Sequence, residues 1–146
     1  MNTILLRSAL ASLGVAALLA SAPAFAVMQK YKSTLDAKSE VPAVDSKATG
    51  TVEATYDTAT KKLTYTVMYK DLSGAAAAAH FHGPAAAGAN AGVAVGVTGS
   101  VVSPIKGEAT LTDAQAADLM GGKWYFNVHT AANKGGEIRG QMMKGM

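Results

Sequence analysis

Hydrophobic and polar positions alternate with a period of two along most of this chain, the pattern of strands buried on one face. Residues 50–56 place Val52, Ala54 and Tyr56 on one side. After a polar turn at 57–60, residues 61–70 set Leu63, Tyr65, Val67 and Tyr69 against Thr64, Thr66 and Met68. Two such runs joined by a short polar loop predict a hairpin. A strand with less regular alternation is expected ahead of it at 28–36. Residues 40–44 read as a loop, because Pro42 lacks a ladder donor and restrains Val41.

Further along, helix propensity favours a helix over Ala75 to Ala79. Gly74 and Gly83-Pro84 leave it too little length, and Phe81 alternates with His80 and His82, so a strand is the better reading. Residues 83–92 form a loop rich in small residues, 93–97 a short strand, 100–103 a strand or loop, and 106–111 a further strand. One short helix is expected at 112–120. Thr112 caps it, Asp113 suits the positive end of its dipole, Gln115 holds the capping-box position, and Gly121-Gly122 ends it. Residues 123–130 put Trp124, Phe126 and Val128 on one face and Tyr125, Asn127 and His129 on the other. Residues 137–143 make a last strand. Roughly eight short strands at this spacing predict an all-β fold, an antiparallel Greek-key β-sandwich or barrel.

The first 26 residues break this pattern. Arg7, an apolar run from Ala9 to Ala20, and Ala24-Phe25-Ala26 have the layout of a cleaved signal peptide, leaving a domain at 27–146. The apolar run is short for a bilayer span and is broken at Ser21-Ala22-Pro23, so no membrane span is expected after cleavage. The expected location is periplasmic or secreted. Removing Arg7 takes the formal charge from +3 to +2. With no run of Lys and Arg to neutralise phosphates, nucleic acid is excluded as a partner. The chain has no cysteine, so disulfides, thiolate ligands and thiol redox chemistry are excluded.

Candidate chemistry therefore rests on three histidines, His80, His82 and His129. His80 and His82 leave the same face of one strand, and a neighbouring strand could bring His129 beside them. An open three-nitrogen site for one transition metal would result, copper being favoured over zinc. The competing reading has the imidazoles hydrogen-bonding backbone carbonyls and holding the glycine-rich loop. Glu137 and Arg139 share a strand face, either in a cross-strand ion pair or a turn-bracing hydrogen-bond network, or with Arg139 guiding a small anion towards the metal. Met142, Met143 and Met146 could supply thioethers to Cu(I). A hydrolase finds no support, since no serine sits in a nucleophile motif and no paired carboxylates present themselves.

Four motifs together resemble the CHRD (chordin) domain family, over about residues 31–141. They are Glu40-Val41-Pro42-Ala43-Val44, Ala79-His80-Phe81-His82-Gly83-Pro84-Ala85, Tyr125-Phe126-Asn127-Val128-His129-Thr130 and Gly136-Glu137-Ile138-Arg139-Gly140-Gln141. Ala43 stands where a second proline is often seen, and Phe81 where an aliphatic residue is usual. The resemblance implies an extracellular module. Such domains are repeated in animal chordin, an antagonist of signalling ligands, and occur singly as exported bacterial proteins of unsettled activity. The spacing of the three histidines is also similar to the copper ligands of Cu/Zn superoxide dismutase, itself a Greek-key sandwich, whose anion-guiding arginine would correspond to Arg139. Three imidazoles cannot build a dinuclear copper–zinc centre, so a mononuclear site is the most this chain can offer. Two functions follow. One is metal binding, with a mononuclear copper redox activity as the only enzymatic option. The other is a non-catalytic module that meets an extracytoplasmic protein or glycan.

Overall fold

The computed structural model describes residues 25–146, so the expected leader falls almost wholly outside the described residues. Nine strands and one helix are present among them: β1 Met28–Asp36, β2 Thr49–Asp57, β3 Lys62–Lys70, β4 Ala76–His82, β5 Val93–Gly96, β6 Ile105–Thr110, α1 Asp113–Met120, β7 Tyr125–Thr130, β8 Ile138–Gln141 and β9 Met143–Lys144. All pairings are antiparallel, in the order β5-β4-β7-β8-β1-β2-β3-β6. The sheet curls into a nearly closed barrel. β6 returns to β3 and β7 to β4, the non-sequential neighbours of a Greek key.

The expected hairpin is the most regular part of it. β2 and β3 pair without a break from Thr49↔Lys70 to Asp57↔Lys62. Asp57 closes the turn by accepting from the Ala59 amide (2.9 Å) and the Thr60 hydroxyl (2.9 Å), while Lys61 takes a left-handed φ of 59°. The alanine-rich run 76–79 is strand, as alternation demanded over propensity. Tertiary packing decides it: Ala79 and Phe81 face the core, where Phe81 meets Tyr65, Phe126 and Trp124 with ring centroids 5.0, 4.7 and 5.8 Å away. Each fully buried ring of this kind contributes roughly 1.5–3 kcal/mol.

One open choice is resolved and one expectation is corrected. Residues 100–103 form a loop, the second of the two options, and Ser103 Oγ accepts the Tyr69 amide at 3.0 Å. The last strand is interrupted: Glu137 precedes it, and Met142 breaks it into β8 and β9. Met142 sends its amide to the Trp124 carbonyl (2.8 Å) and its side chain, 0% exposed, into the core. Met143 is 58% exposed and Met146 fully so, hence the three methionines do not share one environment and no thioether cluster forms.

The barrel has two weak joins. β8 and β1 share the single pair Asp36↔Arg139, and there the backbones approach so closely that a Cβ on Gly140 would strike the Thr34 carbonyl. At the other join β5 and β6 do not pair. Helix α1 serves this seam. Its capping box is complete, and the same Gln115 that caps Thr112 donates to the Ala94 carbonyl of β5 at 2.9 Å. Leu119 and Ala116 bury the helix against the core. Gly140→Ala is expected to lower stability by about 3 kcal/mol or to prevent folding, read by denaturant unfolding, because backbone cannot yield as a side chain can.

Candidate metal centre

The site lies on the outside of the barrel. On β4 and β7 the inward residues Ala79, Phe81, Phe126 and Val128 belong to the core, so His80, His82, Tyr125, Asn127 and His129 point the other way. β8 adds Arg139 to this outer row. These groups nonetheless escape water: Tyr125, Asn127 and Arg139 are buried, and His82 nearly so. Asn127 lies against His82, Gly135 and Gly136. For His82, Tyr125 and Arg139 the cause is the segment 83–92, which folds back over β7 and β8. Its ends meet at Gly83 and Gly92, and the Ala85 amide donates to the Lys123 carbonyl at 2.8 Å. Gln141 Nε2 reaches the Ala85 carbonyl (2.9 Å), and Asn90 Nδ2 the Val41 carbonyl (3.0 Å).

Under the edge of this cover the three histidines come together. Each offers one ring nitrogen, and these nitrogens lie within 4.8 Å of one another. Register explains the meeting: His129 pairs opposite Ala78 and His82 opposite Tyr125, so the outward rows of β4 and β7 lie side by side. His129 Nδ1 donates to the Lys134 carbonyl (2.9 Å), which leaves Nε2 as an acceptor; it faces His80 Nδ1 at 3.1 Å. Burial, with the neighbouring imidazoles adding to it, pushes the pKa of His80 below the usual histidine value. His129 is lowered by burial too, against the opposing Lys134 contact. Both rings are therefore neutral at pH 7, with lone pairs to offer. His82 sits between two acceptors, the Ala91 carbonyl at its Nδ1 (3.0 Å) and Asn127 Oδ1 at its Nε2 (3.0 Å). A neutral ring has one N–H and can satisfy only one of them.

The fit to an ion can be judged from these distances. Three ligands on ~2.0 Å bonds sit about 3.3–4 Å apart. The His80–His129 contact of 3.1 Å is already near that range, and the trio needs a closure of under about 1 Å elsewhere. The carbonyls of Ala91 and Lys134 do what outer partners of ligating imidazoles do, holding ring orientation through the nitrogen not facing the site. The donor set fits one transition metal.

Of the structural options, Glu137 and Arg139 take hydrogen-bond networks and not an ion pair. Glu137, 0% exposed, accepts from Ser46 Oγ (2.7 Å), the Ser73 amide (2.7 Å) and hydroxyl (2.6 Å), Thr130 Oγ1 (2.7 Å) and Asn133 Nδ2 (3.1 Å). It thus ties three loops to the end of β7. Among the described residues no carboxylate oxygen lies within 4.0 Å of Arg139. Its guanidinium, 2% exposed, donates to Asn90 Oδ1 (2.8 Å) and the Ala89 carbonyl and lies 3.4 Å from the centre of the Tyr125 ring. These contacts brace the covering loop.

Two participants carried no chemical role in the sequence reading. Asn127 shares the outward row with His129, which the alternation of β7 did signal. Glu40 had no such signal: it stands in a loop far away in sequence, yet it is buried beside Asn127 and Gly136, where only a glycine fits at a φ of 129°. Burial raises Glu40 to about 7, against the opposing pull of Arg139 and Asn127. Burial also works against ionising Glu137, but the bonds from Ser73, Thr130 and Ser46 outweigh it and hold that carboxyl at about 2. A depressed folded-state pKa gives stability that is full above the unfolded value and lost as pH falls. Glu137 therefore contributes on the order of 3 kcal/mol near neutrality, lost between about pH 4.5 and pH 2. Glu137→Gln should lower the neutral-pH melting temperature and flatten its fall across that acid window, followed by circular dichroism.

The model of the CHRD domain matches residues 31–142. No curated protein and no solved structure gives a significant match. The matched stretch holds both histidine strands, the Glu40 loop and the Glu137–Arg139 segment, so the chain belongs to the CHRD domain family.

Proposed function

We propose that this protein is an exported module that holds one transition-metal ion, copper by preference, through His80, His82 and His129. The single observation that carries the reading is the approach of three ring nitrogens to within 4.8 Å of one another. Copper is favoured because the donors are all nitrogen with no carboxylate among them, and divalent copper heads the affinity order for such sites. Membership of a family found in extracellular proteins supports export to the periplasm or beyond. No helix among the described residues is long and apolar enough to cross a membrane. The role is metal handling, with an open coordination position left for water or a small oxygen species.

The test is metal stoichiometry and affinity of the purified protein beside His80→Ala and His129→Ala. One Cu(II) per wild-type chain is expected, with affinity at least ~10-fold weaker in each variant. A ligand excess of a hundred times the dissociation constant should add about 2.7 kcal/mol to wild-type stability and nothing to the variants. Equal, weak and non-stoichiometric uptake by all three proteins would sink the proposal.

A second reading is favoured by the carbonyl bonds of His82 and His129. On it, both rings brace loops of a non-catalytic module that binds an extracytoplasmic protein or glycan. It expects His129→Ala to lower the melting temperature while neither chelator nor Cu(II) moves that of the wild type.

A further inference from the structure

Behind the histidines stands a column of three flat groups drawn from three adjacent strands. The His82 ring of β4 and the Tyr125 ring of β7 are stacked at 4.8 Å and only 3° from parallel. The Arg139 guanidinium of β8 lies 3.4 Å from the Tyr125 centroid. β7 runs between β4 and β8, so Tyr125 separates the other two groups. The three are also joined through residues 89–91. Arg139 grips Ala89 and Asn90, while the Ala91 carbonyl accepts both His82 Nδ1 (3.0 Å) and the Tyr125 hydroxyl (3.2 Å).

The charge at the far end of the column is only partly offset. Arg139 is always ionised and is 2% exposed, and its hydrogen bonds go to a carbonyl and an amide oxygen rather than to a carboxylate. The acid that interacts with it, Glu40, is itself held back from ionising by burial, at about 7. The other buried acid nearby in sequence, Glu137, is committed to serine, threonine and asparagine donors. Close to the ligand set there is thus a fixed cation in poorly screening surroundings. Such a cation disfavours a doubly charged ion more than a singly charged one.

Resting on the metal reading above, we infer that Arg139, acting through Tyr125 and His82, is a positioning residue that biases bound copper towards Cu(I). The open trio suits this bias, because monovalent copper accepts three neutral nitrogens without an anionic ligand. The module then accepts or delivers copper as the monovalent ion, and its partners are reduced-copper carriers or chelators rather than Cu(II) complexes.

The experiment measures the reduction potential of the copper-loaded protein at pH 8, with Cu(I) and Cu(II) affinities taken separately against chromophoric chelators. Arg139→Met keeps the bulk and removes the charge. It should lower the ratio of Cu(I) to Cu(II) affinity about tenfold, which is ~59 mV for one electron, while Arg139→Lys keeps most of the wild-type value. Glu40→Gln removes the opposing charge at a pH where Glu40 is mainly ionised, and should move the potential the other way. If Arg139→Met fails to fold, the sign of the Glu40→Gln shift decides. One copper per chain with unchanged potentials in the folded variants overturns the inference and leaves the site intact. Absence of stoichiometric copper in the wild type overturns the site and the inference with it.

Discussion

A guanidinium cannot leave water unless its N–H groups find acceptors, and the placing of Arg139 shows how much follows from that need. Its donors reach Asn90 and Ala89, which lie in the middle of the segment 83–92. Holding that segment against β7 and β8 turns an outer barrel face, where strand alternation would leave side chains wet, into a second enclosed layer. Tyr125 is buried under this cover, while Asn127 beside it lies against His82, Gly135 and Gly136. The orientation of His82 follows too, since its Nδ1 partner, Ala91, is set by the same loop. A barrel without this cover would carry the same three imidazoles but would lose the carbonyl that orients His82.

The inner layer was largely legible in the sequence, and for a local reason. Period-two alternation marks which residues share a face, and it identified Val52, Leu63, Phe81, Trp124 and Phe126 as facing inward. Caps are local as well, so Thr112 and Gln115 could be read as the start of α1. Alternation also put His129 on the same row as Tyr125 and Asn127. It could not tell that this row would be covered, because burial of an outward row depends on a loop whose path is set by contacts about 50 residues apart. For the same reason alternation could place Glu137 and Arg139 on one strand face but could not choose between an ion pair, a turn-bracing network and an anion guide. Glu137 instead precedes β8 and ends up among Ser46, Ser73 and Thr130. The break at Met142 was equally hidden, since it arises from a backbone bond to Trp124, just ahead of β7.

Bracing and ligation are commonly set against each other, but here one set of contacts is compatible with both. An imidazole that donates from Nδ1 to a carbonyl is immobilised and, by the same act, keeps its Nε2 lone pair free. His129 meets this description through Lys134. His82 meets it only in part, because Asn127 Oδ1 competes at Nε2. Asn127 is in turn held near Glu40 and Gly135, so the site is connected to a buried acid through one amide. The family motifs around Glu40, His80, Asn127 and Glu137 are thus not separate signatures. They are four pieces of one polar layer.

The seam between β5 and β6 carries a different consequence. A sheet that does not close leaves backbone groups that another chain could pair with, the usual start of strand-to-strand self-association. Here α1 lies at that opening, with the Gln115 amide engaged on the β5 backbone and charged Lys106 and Glu108 exposed along β6. The helix bonds to none of the three histidines, yet it covers an edge at which the domain could template its own copies. In a chain with no disulfide to hold a loosened barrel together, keeping that edge covered falls to noncovalent contacts alone.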